Sequence, residues 1–234
     1  MQDFLFDEFD LQVSVATISH ALLRTCWSRK AVKAHAAKRN HELHNMWIGR
    51  QATWRASQLV FLDESACNER TGDRKFGWAP IGRGCEVSRH VKRSERWSVL
   101  PALSVNGYLS YLIYQGSITA EIFELFVEQQ VLPHCMPYPG PRSIVILDNA
   151  AIHKSVRLSN LCEEHGVLLL FLPPYSPDYN PIEATFKDLK AWVKRNHRLA
   201  EEYESFEAFL HLAISQSMGS HAKAHYREAG YILD

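Results

Sequence analysis

The sequence has no apolar run approaching the roughly 18 residues that a membrane-crossing helix needs. Its amino terminus, MQDFLFDEFD, lacks the basic-then-apolar order of a secretory leader. Both absences predict an intracellular protein with no membrane partner. Cysteine is sparse: the five residues Cys26, Cys67, Cys85, Cys135 and Cys162 are scattered and never form a C-x-x-C pair. That excludes a disulfide framework and a zinc ribbon, and leaves reduced thiols packing as small hydrophobes. An excess of charge is also missing, since 26 basic and 26 acidic residues cancel. Any nucleic-acid binding must therefore come from local patches. No internal repeat, low-complexity tract or serine or cysteine triad motif occurs. Gly82 and Gly84 make a G-x-G outside the strand-to-helix setting of a phosphate loop, so no small-molecule cofactor is expected.

What is present suits a catalytic-sized soluble domain: 234 residues, 46% of them hydrophobic and 22% charged. Near the amino terminus, Ser14 reads as an N-cap and Val15, Ile18 and Leu22 as one apolar stripe. After the segment FLFDEF this predicts a helix-turn-helix fragment over residues 1–27, with Thr17, His20 and Arg24 on its outer face. A simple packing helix fits the same pattern. Residues 28–57 read as a helical linker dotted with Arg29, Lys30, Lys33, Lys38 and Arg39.

The character changes at Gln58. QLVFLDES reads as a buried strand ending in Asp63. WSVLPALSVNGYLSYLIYQG then reads as two strands turning at Asn106-Gly107. A helix is expected from about Thr119 to Val131, with Ile122, Leu125 and Phe126 inward and Glu121, Glu124 and Glu128 solvated. SIVILDN is a second buried strand ending in an acid, Asp148. A helix over about 156–165, the strand VLLLFL, a proline-rich connector and a helix over about 181–196 follow. Three meandering strands and then alternating helices and strands predict an α/β fold, a mixed sheet flanked by helices. The catalytic-type domain spans 58–200, and residues 201–234 form carboxyl-terminal helices packed on it.

In such sheets the chemistry collects at the carboxyl ends of strands. If their strands are adjacent, Asp63 and Asp148 converge there, where like charges repel unless a cation holds them. Oxygen donors without a His/Cys cluster suit magnesium or manganese rather than zinc. LPPYSPDYNPIE delivers a third acid. Its four prolines stiffen the connector, and Asn180 as N-cap with Pro181 at N1 would set Glu183 in the first helical turn. N-x-x-E also approximates a capping box, so a purely structural role for Glu183 stands beside the ligand role.

Further along that helix, Lys187, Lys190 and Lys194 share the face of Glu183, a row that suits a polyanion as well as a simple Glu-Lys pair. Arg83, Arg89, Lys92, Arg93 and Arg96 either contact phosphates or form a solvated loop. His153 is close enough in sequence to Asp148 to stand near the site, or to be structural.

FLDES, GWAPIGRG, ILDNAAIH and LPPYSPDYNPIE together resemble the catalytic domain of mariner-like DDE transposases, a superfamily that includes bacterial insertion-sequence relatives. Thirty-four residues lie between Asp148 and Glu183, as in the branch whose third acid is glutamate. The resemblance runs from about Gln58 to Asn196, and AHYREAGY resembles the family's carboxyl end. It implies a ribonuclease-H-like fold with Asp63, Asp148 and Glu183 as ligands of two Mg²⁺ or Mn²⁺ ions. It also implies Asn149, His153 and Asn180 as supporting residues, and DNA, both transposon ends and target, as partner, with a homodimer as one assembly. The segment Asp10 to Lys30 resembles the end of the family's second helix-turn-helix. Because the chain begins inside that region, two expectations follow: a transposase-type enzyme, or a truncated or repurposed remnant that binds DNA without catalysis.

Overall fold

A computed structural model describes residues 2–27, 41–68, 71, 82–83, 95–217 and 221–233. The chain divides into two compact units, Met1–Ala37 and Lys38–Asp234. No helix among the described residues is long and apolar enough to cross a membrane. GWAPIGRG apart from Gly82 and Arg83, the basic residues Arg89, Lys92 and Arg93, and most of the linker basics lie outside the described residues.

The first unit contains α1 (Gln2–Phe9) and α2 (Val15–Arg24). Ser14 caps α2 by accepting from the Thr17 amide at 3.1 Å. Ile18 and Leu22 are half-buried, while Val15, expected on the same stripe, is exposed.

The second unit opens with α3 (His41–Gln51) and is built on one sheet. Its strands are β1 (Leu59–Leu62), β2 (Ser65–Cys67), β3 (Trp97–Ser104), β4 (Gly107–Gln115), β5 (Ile144–Leu147) and β6 (Leu168–Phe171). The order is β2-β3-β1-β5-β6, with β4 on the other side of β3. β3 runs antiparallel to β1, β2 and β4, whereas β1, β5 and β6 are parallel. The mixed α/β architecture expected from sequence is present, with β2 as an added short strand. The β3–β4 turn falls one residue earlier than expected, on Val105 and Asn106, and the positive φ lies on Gly107 at 116°.

β1 and β2 pair with β3 in one continuous register, Phe61 and Leu62 against Leu103 and Ala102, then Ser65 against Val99. The ladder is interrupted only at Asp63 and Glu64. In that register Asp63 stands opposite Pro101, which has no amide hydrogen to offer.

Both faces of the central strands are buried, so residues alternate between two cores. Val60, Leu62, Val145 and Leu147 face α4 (Ala120–Phe126) and α5 (Val156–Glu164), meeting Phe123, Phe126, Leu158 and Leu161. Leu59, Phe61, Ile144 and Ile146 face α6 (Ile182–Arg195) and α8 (Ala222–Glu228), meeting Ile182, Phe186 and Tyr226. A third cluster joins Leu189 and Val193 of α6 to α7 (Phe206–Ser217). Ile182, Phe186, Leu189 and Val193, which the sequence spaces as one apolar stripe at i, i+4, i+7 and i+11, are the buried side of α6.

The α4 region differs from expectation. The α-helix ends at Phe126 and continues as a π-type turn over Val127–Val131. Leu125, expected inward, is exposed, while Glu124, expected in solvent, is buried and paired with Arg157 at 3.2 Å. Arg157 also holds Glu128 at 2.8 Å. A cation on a neighbouring helix, distant in sequence, makes the burial of Glu124 tolerable.

Candidate active site

Three elements deliver three carboxylates to one place. β1 and β5 pair in parallel with Leu59 beside Ile144 and Phe61 beside Ile146. Carrying that register two residues on sets Asp63 beside Asp148, and neighbouring strands lie about 4.8 Å apart. The apolar runs account for this placement, because both strands must stay in the core until their acids emerge. Glu183 comes from the first turn of α6. Asp63, Asp148 and Glu183, with Asn149, Asn180 and residues 172–177 of the connector, line a cavity of about 430 Å³.

Asp63 accepts from the Glu64 amide at 2.8 Å on Oδ1 and from Asn180 Nδ2 at 3.0 Å on Oδ2. Its pKa is nonetheless pushed up to about 7, chiefly by burial and then by the charges of Asp148 and Glu183. Asp148 behaves oppositely. The hydrogen bond from His153 holds its pKa below the ordinary carboxylate value, against some burial.

His153 itself is 1% exposed, with Nδ1 at 2.7 Å from Asp148 Oδ1 and Nε2 at 3.2 Å from Glu64 Oε2. Two carboxylates facing the two nitrogens require both to donate, which makes the ring an imidazolium. Burial opposes that charge, but the bonds to Asp148 and Glu64 prevail and raise its pKa to about 9. Glu64 was not singled out in the sequence. Its only local signal is adjacency to Asp63, and its bond to His153 spans 89 residues.

The connector is pinned along its length. Asn149 Nδ2 donates to the Leu172 carbonyl. Ser176 Oγ lies 2.6 Å from His44 Nε2 of α3, and the Tyr231 hydroxyl donates to the Tyr179 carbonyl at 2.9 Å. Asn180 does not cap α6 as the sequence suggested. The helix begins after Pro181 with no side-chain cap, and the Asn180 amide turns to Asp63 instead. The capping-box reading of Glu183 therefore loses its partner. The helix N-terminus still favours a negative charge at Glu183.

Lys187 and Lys194 are exposed and Lys190 is half-buried on α6. Thr17, His20 and Arg24 are exposed in the first unit, where Thr17 Oγ1 pairs with Ser14 Oγ at 2.9 Å. Arg83 is exposed.

The donor set fits hard divalent cations. Among the described residues lining the cavity, the ionisable ligands are all carboxylates, and beyond burial the charges of Asp148 and Glu183 lift Asp63 further. Asn180 Oδ1 is in addition a buried acceptor with no hydrogen-bond partner among the described residues. Oxygen donors in this number suit Mg²⁺ or Mn²⁺.

The family model of the DDE superfamily endonucleases matches residues 58–207. No curated protein matches the chain by sequence. Among solved structures, the Mos1 mariner paired-end complex with Mn is similar at a TM-score of 0.64 and 17% identity, covering 97% of this chain and 73% of that one. The corresponding complex with Mg aligns at 0.63 and 18% identity with the same coverage. The catalytic domain of Mos1 mariner transposase aligns at 0.52 and 14% identity, covering 87% of this chain and 91% of that one.

Proposed function

The chain belongs to the DDE superfamily endonucleases, and on that premise we propose that it is a transposase-type DNA endonuclease and strand transferase. One observation carries the reading: Asp63, Asp148 and Glu183 reach a single cavity from two parallel strand ends and a helix start. These three carboxylates would hold two Mg²⁺ or Mn²⁺ ions, which when bound supply Lewis-acid activation of water or a DNA 3′-hydroxyl and charge stabilisation at the leaving oxygen.

The remaining roles belong to the chain. Asn180 and the Glu64 amide fix both oxygens of Asp63. His153 and the Ala150 amide both bond Asp148 through Oδ1, which leaves Oδ2 for the cavity. Asn149 fastens the connector at Leu172 and so helps hold Glu183 in place. Lys187, Lys190 and Lys194 would neutralise phosphates of a duplex crossing the site, with Arg83 and the α2 residues Thr17, His20 and Arg24 as further contacts.

The Mos1 structures are described as paired-end complexes. For this chain we extend the partner to transposon ends and target DNA, with a homodimer as the assembly. Such a substrate would put the chain inside the cell, in the nucleus of a eukaryote.

The test is nicking of supercoiled plasmid by purified protein with Mg²⁺ or Mn²⁺. The parent should nick and Asp148→Ala should not; nicking that survives the substitution would exclude this assignment. Salt-sensitive DNA binding without any metal-dependent nicking would instead identify a non-catalytic remnant.

A further inference from the structure

Away from the acidic cavity, α6 meets α8 at a second cluster that the nuclease reading leaves unused. Asp188, His221 and His225 each offer one ligand atom, and these atoms all lie within 4.8 Å of one another. His225 Nε2 is 2.8 Å from Asp188 Oδ2, and His221 Nδ1 is 3.7 Å from the same oxygen. His221 is the residue before α8 and His225 lies one turn on, its amide bonded to the His221 carbonyl at 2.9 Å. That spacing stacks the two imidazoles on one helix face. Their ring centroids are 6.1 Å apart in an edge-on arrangement.

The donor set differs in kind from the carboxylate cavity. Imidazole nitrogens favour zinc-class transition ions over magnesium. Two histidines and one carboxylate make a three-ligand set that leaves a fourth tetrahedral position open. Water can reach it, because the His221 side chain is 69% exposed while His225 is 12% exposed. Asp188 follows Glu183 by five positions, about 140° round the helix at 3.6 residues per turn, so the two carboxylates leave α6 on different sides.

We propose that Asp188, His221 and His225 form a binding site for a divalent transition ion of the zinc class, which ties the carboxyl-terminal helix to α6. Its role is structural. α8 is already fastened to the sheet by the Tyr226 hydroxyl, which donates to the carbonyls of Leu59 at 3.1 Å and Leu103 at 3.0 Å. An ion at the other contact joins strand β1, α8 and α6 into one braced unit, and α6 carries Glu183. His225 Nδ1 is buried with no partner among the described residues. Ligation through Nε2 leaves that nitrogen unsupported, which makes the site weaker than one with a carboxylate behind each imidazole.

The experiment uses Co²⁺ as the probe on the full chain carrying Asp63→Asn and Asp148→Asn, in excess Mg²⁺, so that the acidic cavity cannot report. One Co²⁺ per chain should bind with the visible absorption band of a tetrahedral nitrogen-ligated ion, and Zn²⁺ should displace it. His221→Ala should lose the band, and Zn²⁺ should raise the melting temperature of the parent but not of this variant. The exposure of His221 makes a folding defect avoidable, and an unchanged metal-free melting temperature verifies that. Absence of the band and of the Zn²⁺ shift in the parent would overturn the site. So would a band that persists in both His221→Ala and Asp188→Asn, since the histidines and aspartate would then be only an ion-paired cluster.

Discussion

Asn180 Nδ2 donates to Asp63 Oδ2 at 3.0 Å, joining residues 117 positions apart in the chain. The bond locks the start of α6 to the end of β1, so the third acid is positioned by the first. Asn180→Ala removes the lock without adding charge. Metal-dependent nicking should fall by roughly 10- to 100-fold, the usual loss when a group supporting a ligand is removed. Plasmid nicking, with circular dichroism to show an intact fold, checks this; unchanged nicking would mean that the connector alone orients the two acids.

His153→Phe keeps a ring of similar size against Phe123, whose centroid is 4.4 Å from that of His153. It removes both hydrogen bonds and leaves Asp148 and Glu64 without their shared cation. Breaking a fully buried pair costs about 3–5 kcal/mol. The Asp148 and Glu64 side chains are 45% and 31% exposed, so solvent screening reduces the expected loss to about 1–2 kcal/mol. Urea unfolding in EDTA measures it, and added Mg²⁺ should narrow the gap between parent and variant.

The metal-free protein should lose stability as pH rises. Asp63 titrates near 7 in the fold against 3.8 normally, so its ionised form is penalised progressively between those values. His153 is raised from 6.5 to about 9, so its stabilising charge is complete below 6.5 and lost as pH passes 9. The depressed pKa of Asp148 acts in the other direction only when pH falls through the acid range. Melting temperatures in EDTA should decline from about pH 5 to pH 9, and saturating Mg²⁺ should flatten the portion below 7. A melting temperature that climbs over this interval would contradict the charge assignment.

The lysine row of α6 predicts a salt dependence. Each of Lys187→Ala, Lys190→Ala and Lys194→Ala should weaken duplex binding regardless of sequence and reduce the log–log salt slope by roughly 0.9 per lost phosphate contact. Fluorescence anisotropy across a salt series reads the slope. An unaltered slope in all three variants would return the row to an ordinary solvated helix face.

The strand ends, the α6 stripe and the mixed sheet were legible because each is a local pattern: apolar runs that stop at an acid, or apolar residues every third or fourth position. The acids at 63 and 148 could be read as neighbours only on the condition that their strands lie side by side, and the parallel pairing of β1 with β5 meets it. What escaped was long-range. Asn180 beside Pro181 has the local chemistry of a cap, yet folding brings the Asp63 carboxylate to its Nδ2, and Oδ1, the atom a cap would use, meets no partner among the described residues. Glu124 sits on a face that periodicity alone assigns to solvent, and only Arg157 on a different helix makes its burial tolerable. Glu64 gave no pattern at all, since its partner His153 reaches it through tertiary structure.

Pro101 gives the interrupted ladder a further meaning. A sheet that could pair without a break from β1 into β2 would hold Asp63 as one more rung, its direction dictated by the pleat. The missing amide hydrogen opposite Asp63 instead leaves that position free to follow Asn180 and the Glu64 amide. The fold thus gives up cohesion where the chemistry requires latitude. Pro101→Val should make the two quantities diverge, raising the unfolding midpoint while lowering nicking, because a mended strand would pull Asp63 back into line.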